Sequence, residues 1–251
     1  MALAAIADKH VGLNLSNPCL DPGVRMSMQG YRRRLGRPAT QAKGLTKALL
    51  QGFINQAIGL DIDSNGRKRA TLVMWREAWR ELTCFLTLAR FADLQHVTRR
   101  DISVDHLRHV IVIQFWSRKN DQLHVGHWAI MHGTSTRYCP VRLTSRYLAM
   151  LPKDPNAFML PDMRPNKSHI KVTYAACRRQ QKWIMQRIGT DPSPYGLHSA
   201  RVGGTTYLKG ARISESDIGS LGGLAPGSSQ PDRYSKSDVE KWKQAASALR
   251  I

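Results

Sequence analysis

The chain has 251 residues, with 38 Lys and Arg against 18 Asp and Glu, giving a formal charge of +20 at pH 7. At 42% hydrophobic and 22% charged residues the composition is globular, which excludes a disordered or low-complexity chain. The length suits one large domain, or one domain plus part of another, and the excess of cations points to a polyanionic partner, nucleic acid or an anionic membrane.

Cys19, Cys84, Cys139 and Cys177 stand too far apart to form a CxxC pair, so neither a zinc ribbon nor a disulfide framework is encoded. Cys84 and Cys177 fall in apolar helical patterns and read as buried thiols. The start, MALAAIADKH, has no basic segment ahead of its short apolar run and does not read as a signal peptide. The longest strongly apolar run, HVIVIQFW, falls far short of the roughly 20 residues of a membrane span. These features point to a soluble protein of a reducing compartment, cytoplasmic or nucleoid-associated, or nuclear in a eukaryote.

Residues 1–35 read as two short helices. In the second, Val24, Met28, Tyr31 and Leu35 recur at helical spacing, and Arg32, Arg33 and Arg34 cluster at its end. Two such helices cannot bury a core alone. A linker follows over 36–44, and Thr46 then reads as the N-cap of a helix carrying Leu49, Leu50, Phe53, Ile54 and Ala57. The loop DIDSNG (61–66) resembles the opening of a calcium-binding loop, but Leu72 stands where the bidentate Glu belongs, so its residues read as turn formers.

A long helix is predicted over 70–88 and a shorter one over 92–97. Strands are predicted over 109–116 and 123–131, joined by a hairpin turn, SRKND, with Lys119 at its tip. His124, His127 and His132 do not read as a metal set, because residues 124 and 127 of one strand point to opposite faces. Helices resume over 140–150, 172–188, 200–208 and 215–221. A last amphipathic helix over 237–249 carries Val239, Trp242, Ala246 and Leu249. No internal repeat is visible.

The basic charge is unevenly spread. Residues 22–60 hold seven Lys and Arg (25, 32, 33, 34, 37, 43 and 47) and no acid, and 163–190 hold another seven (164, 167, 171, 178, 179, 182 and 187), again with no acid. One-sided charge on helical stretches fits contacts to a phosphate backbone better than a solvated face of mixed sign. Arg32, Arg33, Arg34, Arg37, Lys43, Arg178, Arg179 and Lys182 are the expected DNA-backbone contacts.

Breaking and rejoining a phosphodiester without a metal requires a nucleophile, cations on the non-bridging oxygens and an acid for the leaving oxygen. The candidates are Arg90 in LARFADLQHVTRRDI, Lys119 in SRKNDQ, His198 and Arg201 one helical turn apart in HSARVGG, and Tyr234 in PDRYSK.

These segments, in this order and spacing over 45–251, resemble the tyrosine recombinase (phage integrase) family. LHSARVGGTTYLKGA resembles its His-x-x-Arg box in the wording of Cre-type members. LARFADLQHVTRRDI resembles the box of the first catalytic Arg, with Asp93 as the supporting acid three residues later. SRKNDQ resembles the β-hairpin lysine turn, and DRYSK the nucleophile box. Residues 1–44 resemble the end of the family's helical core-binding domain and its linker, so the chain resembles an N-terminally truncated recombinase.

The resemblance implies a mixed α+β, mainly α-helical fold: a catalytic domain with a small antiparallel β-sheet, preceded by the last helices of the core-binding domain. It also implies roles. Arg90 and Arg201 would clamp the scissile phosphate of double-stranded DNA, and Tyr234 would attack phosphorus to form a 3′-phosphotyrosine. Lys119 would protonate the departing 5′ oxygen, His198 would hydrogen-bond the phosphate or assist proton transfer, and Asp93 would orient the surrounding shell. No metal, ATP or other cofactor is implied. The family acts as a tetramer on paired sites, often with the terminal helix, here 237–249, docked on a neighbouring subunit.

Beside the truncated first domain, the chain departs from the family near the nucleophile. A His or Trp donor belongs about nine residues before the nucleophile, and Leu224 occupies that position and cannot donate. The readings that follow are an active site-specific recombinase or integrase; a degenerate, non-cleaving DNA-binding remnant of a mobile element; and, more distantly, a type IB topoisomerase, which shares the tyrosine chemistry.

Overall fold

The computed structural model describes residues 2–35, 42–60, 68–116, 126–164 and 169–222, and the chain divides into two units, Met1–Gln41 and Ala42–Ile251. In the first unit, α1 (Ala2–Gly12) and α2 (Pro22–Leu35) flank a 3-10 turn, Pro18–Leu20. Short polar side chains start both later elements: Asn17 Oδ1 accepts from the Cys19 N–H at 2.9 Å, and Asp21 Oδ1 from the Val24 N–H at 3.0 Å. Ile6, Val11, Leu13, Met26 and Tyr31 remain exposed, because two helices of this length offer one another too little surface to bury them.

The second unit contains α3 (Lys47–Leu60), α4 (Lys68–Thr87), α5 (Phe91–Leu94), β1 (Ile102–Asp105), β2 (Val110–Phe115), β3 (His127–His132), α6 (Pro140–Met150), α7 (Tyr174–Arg187), α8 (Ser199–Gly210) and α9 (Glu215–Leu221). Thr46 caps α3 as the sequence predicts, its Oγ1 accepting from the Leu49 N–H at 3.2 Å. Thr173 does the same for α7, accepting from the Ala176 N–H at 3.2 Å. The loop 61–66 and the helix predicted over 237–249 lie outside the described residues.

The central element is α4. Residues 73–85 are buried throughout, with α3, α6, α7, α8 and β3 packed around them. A helix buried on all sides is a core element, and apolar bulk accounts for much of it. Trp79 stacks on Tyr147 with ring centroids 5.7 Å apart, and its indole N–H donates to Thr144 Oγ1 at 3.1 Å.

Charge accounts for the rest. Arg76, Glu77, Arg80 and Glu81 are all fully buried, and they neutralise one another in sequence order. Arg76 pairs with Glu77 at 2.7 Å, Arg80 with Glu77 at 2.9 Å, and Arg80 with Glu81 at 2.7 Å. Arg76 also donates to the Pro161 carbonyl at 2.7 Å. Removing such groups from water is tolerated because each charge keeps a partner. Cys84 and Cys177 are buried as expected, but Cys177 faces this polar seam, its Sγ 3.2 Å from Glu77 Oε2. Burial pushes the Cys84 thiol up to about 12, so it stays protonated and unreactive at neutral pH.

The sheet is antiparallel in the order β1-β2-β3, with Ile113 opposite both Ile102 and Ala129. Ile111, Ile113, Phe115, Ala129 and Met131 face the core while Trp128 faces out, the alternation of a sheet with one solvated side. Among the described residues, β1 is the one strand that the sequence does not predict. Its four residues, ISVD, carry too little alternation to read as a strand, and pairing with β2 makes them one.

Candidate active site

Arg90 lies just after α4, as the N-cap of α5. The R-F-A-D spacing has a local meaning: the Asp93 carboxylate at N3 accepts from the Arg90 backbone N–H at 2.8 Å, the back-bond of a capping box. Asp93 is nearly buried and thereby fixes the backbone from which the Arg90 side chain projects. Arg90 itself is half-buried, and its Nη1 atom is buried with no hydrogen-bond partner among the described residues.

Arg201 reaches the same region from α8. It is only 4% exposed, and its Nη1 donates to the Leu88 carbonyl and, at 3.1 Å, to the Gly222 carbonyl. Its Nη2 is buried without a partner among the described residues. One side of the guanidinium is anchored on backbone and the other is left to receive an acceptor. The Arg201 pKa is lowered by burial and then by the neighbouring Arg90 charge, with Asp93 acting in the opposite direction. Two always-charged groups share one partly desolvated place, which favours an anion between them.

The Val-Gly-Gly that follows Arg201 is explained by packing. A Cβ at Gly203 would stand 1.9 Å from the Leu45 carbonyl oxygen, and one at Gly204 would stand 2.2 Å from that of Phe85. Only glycine lets α8 approach the chain before α3, at Gly203, and α4, at Gly204, this closely, and the second approach brings Arg201 to the end of α4.

His198 occupies the N-cap position of α8 and is exposed. Its pKa is lowered by partial desolvation, then by Arg201 and Arg90, while Asp93 opposes the shift. The imidazole is therefore neutral at pH 7 and able to accept or donate a hydrogen bond. The turn before it is held to the buried seam: Gln181 Nε2 donates to Glu81 Oε1 at 2.7 Å and to the Gly196 carbonyl at 3.0 Å, and the Ser199 N–H donates to the same carbonyl at 2.9 Å. The sequence gives no signal for this link between α4, α7 and the His198 turn, because Gln181 is one of three glutamines in α7 and nothing local distinguishes it.

The structure thus brings Arg90 and Asp93, at the start of α5, together with His198 and Arg201, at the start of α8, from two segments more than 100 residues apart in the chain. Lys119, Leu224 and Tyr234 lie outside the described residues. The root of the Lys119 hairpin is described: Phe115 pairs with His127, and the Trp116 indole N–H donates to Asp101 Oδ1 at 2.6 Å. Asp101 Oδ2 also accepts from the Thr98 N–H at 2.7 Å. Thr98 and Asp101, both in the Arg90 segment, therefore fasten the hairpin base beside it.

Of the expected backbone contacts, Arg179 and Lys182 are exposed on α7, opposite the buried Cys177, Gln181 and Ile184. Lys43 is exposed, its ammonium 5.9 Å from the centroid of the Tyr195 ring. Arg178 is half-buried and donates to Gln181 Oε1 at 3.0 Å, so part of its bonding capacity is used inside the fold. Arg32, Arg33 and Arg34 belong to α2, and Arg37 lies outside the described residues. The 163–190 stretch is less one-sided in space than in sequence, because Asp162, just beyond its edge, pairs with Arg164. Among the described residues no three His, Cys, Asp or Glu side chains are grouped to hold a metal ion, and no helix is long and apolar enough to cross a membrane.

No known family profile matches the sequence, and no curated protein matches it. Solved structures do. XerH site-specific recombinase bound to difH substrate, in a pre-cleavage complex, is similar at a TM-score of 0.54 and 14% identity, over 84% of this chain and 51% of that one. The same recombinase bound to palindromic difH substrate, in a post-cleavage complex, is similar at 0.52 and 16%, over 82% of this chain and 53% of that one. The chain spans about half the length of these structures. The mixed α+β fold, a helical core with a small antiparallel sheet, is the fold that this chain shares with these structures.

Proposed function

We propose that the chain is a tyrosine recombinase that cleaves and rejoins double-stranded DNA through a 3′-phosphotyrosyl intermediate. The observation that carries this reading is the pair of guanidinium groups, Arg90 and Arg201, each with a buried N–H group unpartnered among the described residues, in a fold of that class. A phosphodiester passing through a pentavalent transition state gains negative charge on its non-bridging oxygens. Preorganised donors aimed at that charge stabilise the transition state more than the ground state.

In this reading Tyr234 supplies the nucleophilic oxygen, and its bond to phosphorus forms as the bond to the 5′ oxygen breaks. Lys119 gives the departing oxygen its proton. His198, neutral before DNA arrives, bonds the phosphate or relays the tyrosine proton. Asp93 positions Arg90 through its backbone amide. Rejoining is the reverse attack by a DNA 5′ hydroxyl, so no ATP is consumed. Arg179, Lys182 and Lys43, with the arginines of α2, hold the duplex through its phosphates. Residues 1–44 act as the last part of a core-binding domain, and 237–249 dock on a neighbouring subunit of a tetramer assembled on paired sites.

The test is incubation with a nicked suicide duplex drawn from the protein's flanking DNA. A covalent protein–DNA adduct that Tyr234→Phe abolishes is the expected result. Binding without an adduct at any salt concentration is the outcome for the second reading, a DNA-binding remnant disabled by Leu224.

A further inference from the structure

Lys171 and His96 are 75 positions apart in sequence and meet at the surface of the second unit, where Lys171 Nζ stands 3.3 Å from each imidazole nitrogen. The backbone on both sides is fixed. Gln95 Nε2 donates to the Val172 carbonyl at 2.8 Å, and the Val97 carbonyl accepts from the Met159 N–H at 2.9 Å. The Val172 N–H donates to the Leu160 carbonyl at 2.8 Å. The two side chains are therefore held together by hydrogen bonds that neither of them makes.

Such a pair is poorly matched to itself. An ammonium beside a neutral imidazole can donate one hydrogen bond, but once the imidazole is protonated the two cations repel. Partial burial, and then the Lys171 charge, hold the His96 pKa below its ordinary value, and Lys171 is the one charged group among the described residues resolved as acting on it. An anion placed against both groups would remove the conflict. It would accept a charge-assisted hydrogen bond from each and return the imidazole to its cationic form.

We propose that His96 and Lys171 form a subsite for one backbone phosphate of duplex DNA, filled with uptake of a proton by His96. The proposal rests on the recombinase reading, which supplies the polyanion. Arg90 lies six residues before His96, so the chain between them can span at most about 21 Å. Each strand of a duplex carries a phosphate charge every ~3.4 Å of its axis, so one DNA strand can present separate phosphates to both places.

The experiment is an NMR titration of the histidine-labelled full chain between about pH 5 and 8, with and without a short duplex. The His96 signal is identified by its loss in His96→Gln. The expected result is a His96 midpoint that rises by about one unit or more when DNA binds. Lys171→Gln should raise the midpoint of the free protein and shrink the DNA-induced rise. It should also reduce the slope of log Kd against log salt by ~0.9, the value for one lost phosphate contact. A His96 midpoint unmoved in a protein demonstrably bound to DNA overturns the subsite and leaves the recombinase reading standing. A rise with inorganic phosphate but none with duplex also overturns it. Absence of any duplex binding by fluorescence anisotropy overturns the recombinase reading itself.

Discussion

Leu88 stands in the left-handed region, with φ at 51°, and its carbonyl oxygen accepts a hydrogen bond from Nη1 of Arg201. A non-glycine residue held there costs about 1–3 kcal/mol, which the surrounding packing must offset. The strain serves the site. The same turn ends α4, aims a carbonyl at one arginine and delivers the other two residues later.

Arg201→Lys should separate catalysis from binding. A lysine ammonium cannot both hold the Leu88 and Gly222 carbonyls and present a planar second donor to a phosphate. Single-turnover adduct formation should fall by roughly 100-fold or more. Duplex affinity, read by anisotropy, should change far less, because many other cations contribute to it.

Gly204→Ala should destabilise the fold. Its methyl would meet the Phe85 carbonyl oxygen, a backbone atom that cannot swing aside. The expected cost is about 1–3 kcal/mol or more, seen in thermal unfolding as a loss of roughly 2–4 °C per kcal/mol. A protein that also loses cleavage in proportion to its distance from folding, and no more, would assign the glycine to packing alone.

The buried seam should be visible in acid unfolding. Burial raises the Glu77 pKa, but the Arg80 and Arg76 charges outweigh it and leave the carboxyl below its ordinary value of 4.5. Its contribution is thus present above that pH and is lost as pH falls through the lowered folded pKa. Glu81 runs the other way: burial raises its pKa, so its contribution is present below the ordinary carboxyl range and lost as pH rises through the folded value. Glu77→Gln should cost roughly 3–5 kcal/mol at pH 7, because it leaves Arg80 and Arg76 poorly compensated, and should flatten the acid limb of denaturant unfolding. Glu81→Gln should cost less at the same pH.

His198 offers a second titration. With its pKa lowered by partial desolvation and the two arginines, the free protein favours the neutral ring, and that preference is lost as pH falls from about 6.5 through the folded value. Its NMR midpoint should lie below the ordinary histidine value in the free protein. Arg201→Lys keeps the charge and should move it little, whereas Arg201→Met should raise it.

Much of this was legible in the sequence because it is short-ranged. The Thr46 cap, the helix that occupies Pro140–Met150 and the Arg90–Asp93 spacing each depend on residues within one turn of each other. The illegible parts depend on distant partners. Arg76, Glu77, Arg80 and Glu81 look like a solvated helix face until α6, α7 and α8 cover them. β1 is a strand only because β2 lies beside it, and Gln181 gains its role from Glu81 and Gly196, which are far away in the chain. The glycines after Arg201 could be read as part of a motif, but their reason, a backbone contact with Leu45 and Phe85, is tertiary.

The central claim is that this chain forms a covalent bond to DNA through one tyrosine. The most direct measurement is mass spectrometry of the proteolysed adduct trapped on a nicked suicide duplex. The account predicts a single nucleotide-modified peptide, containing Tyr234, absent from both Tyr234→Phe and Arg201→Ala. A modified peptide carrying any other residue, or strand cleavage that persists in Tyr234→Phe, would contradict it.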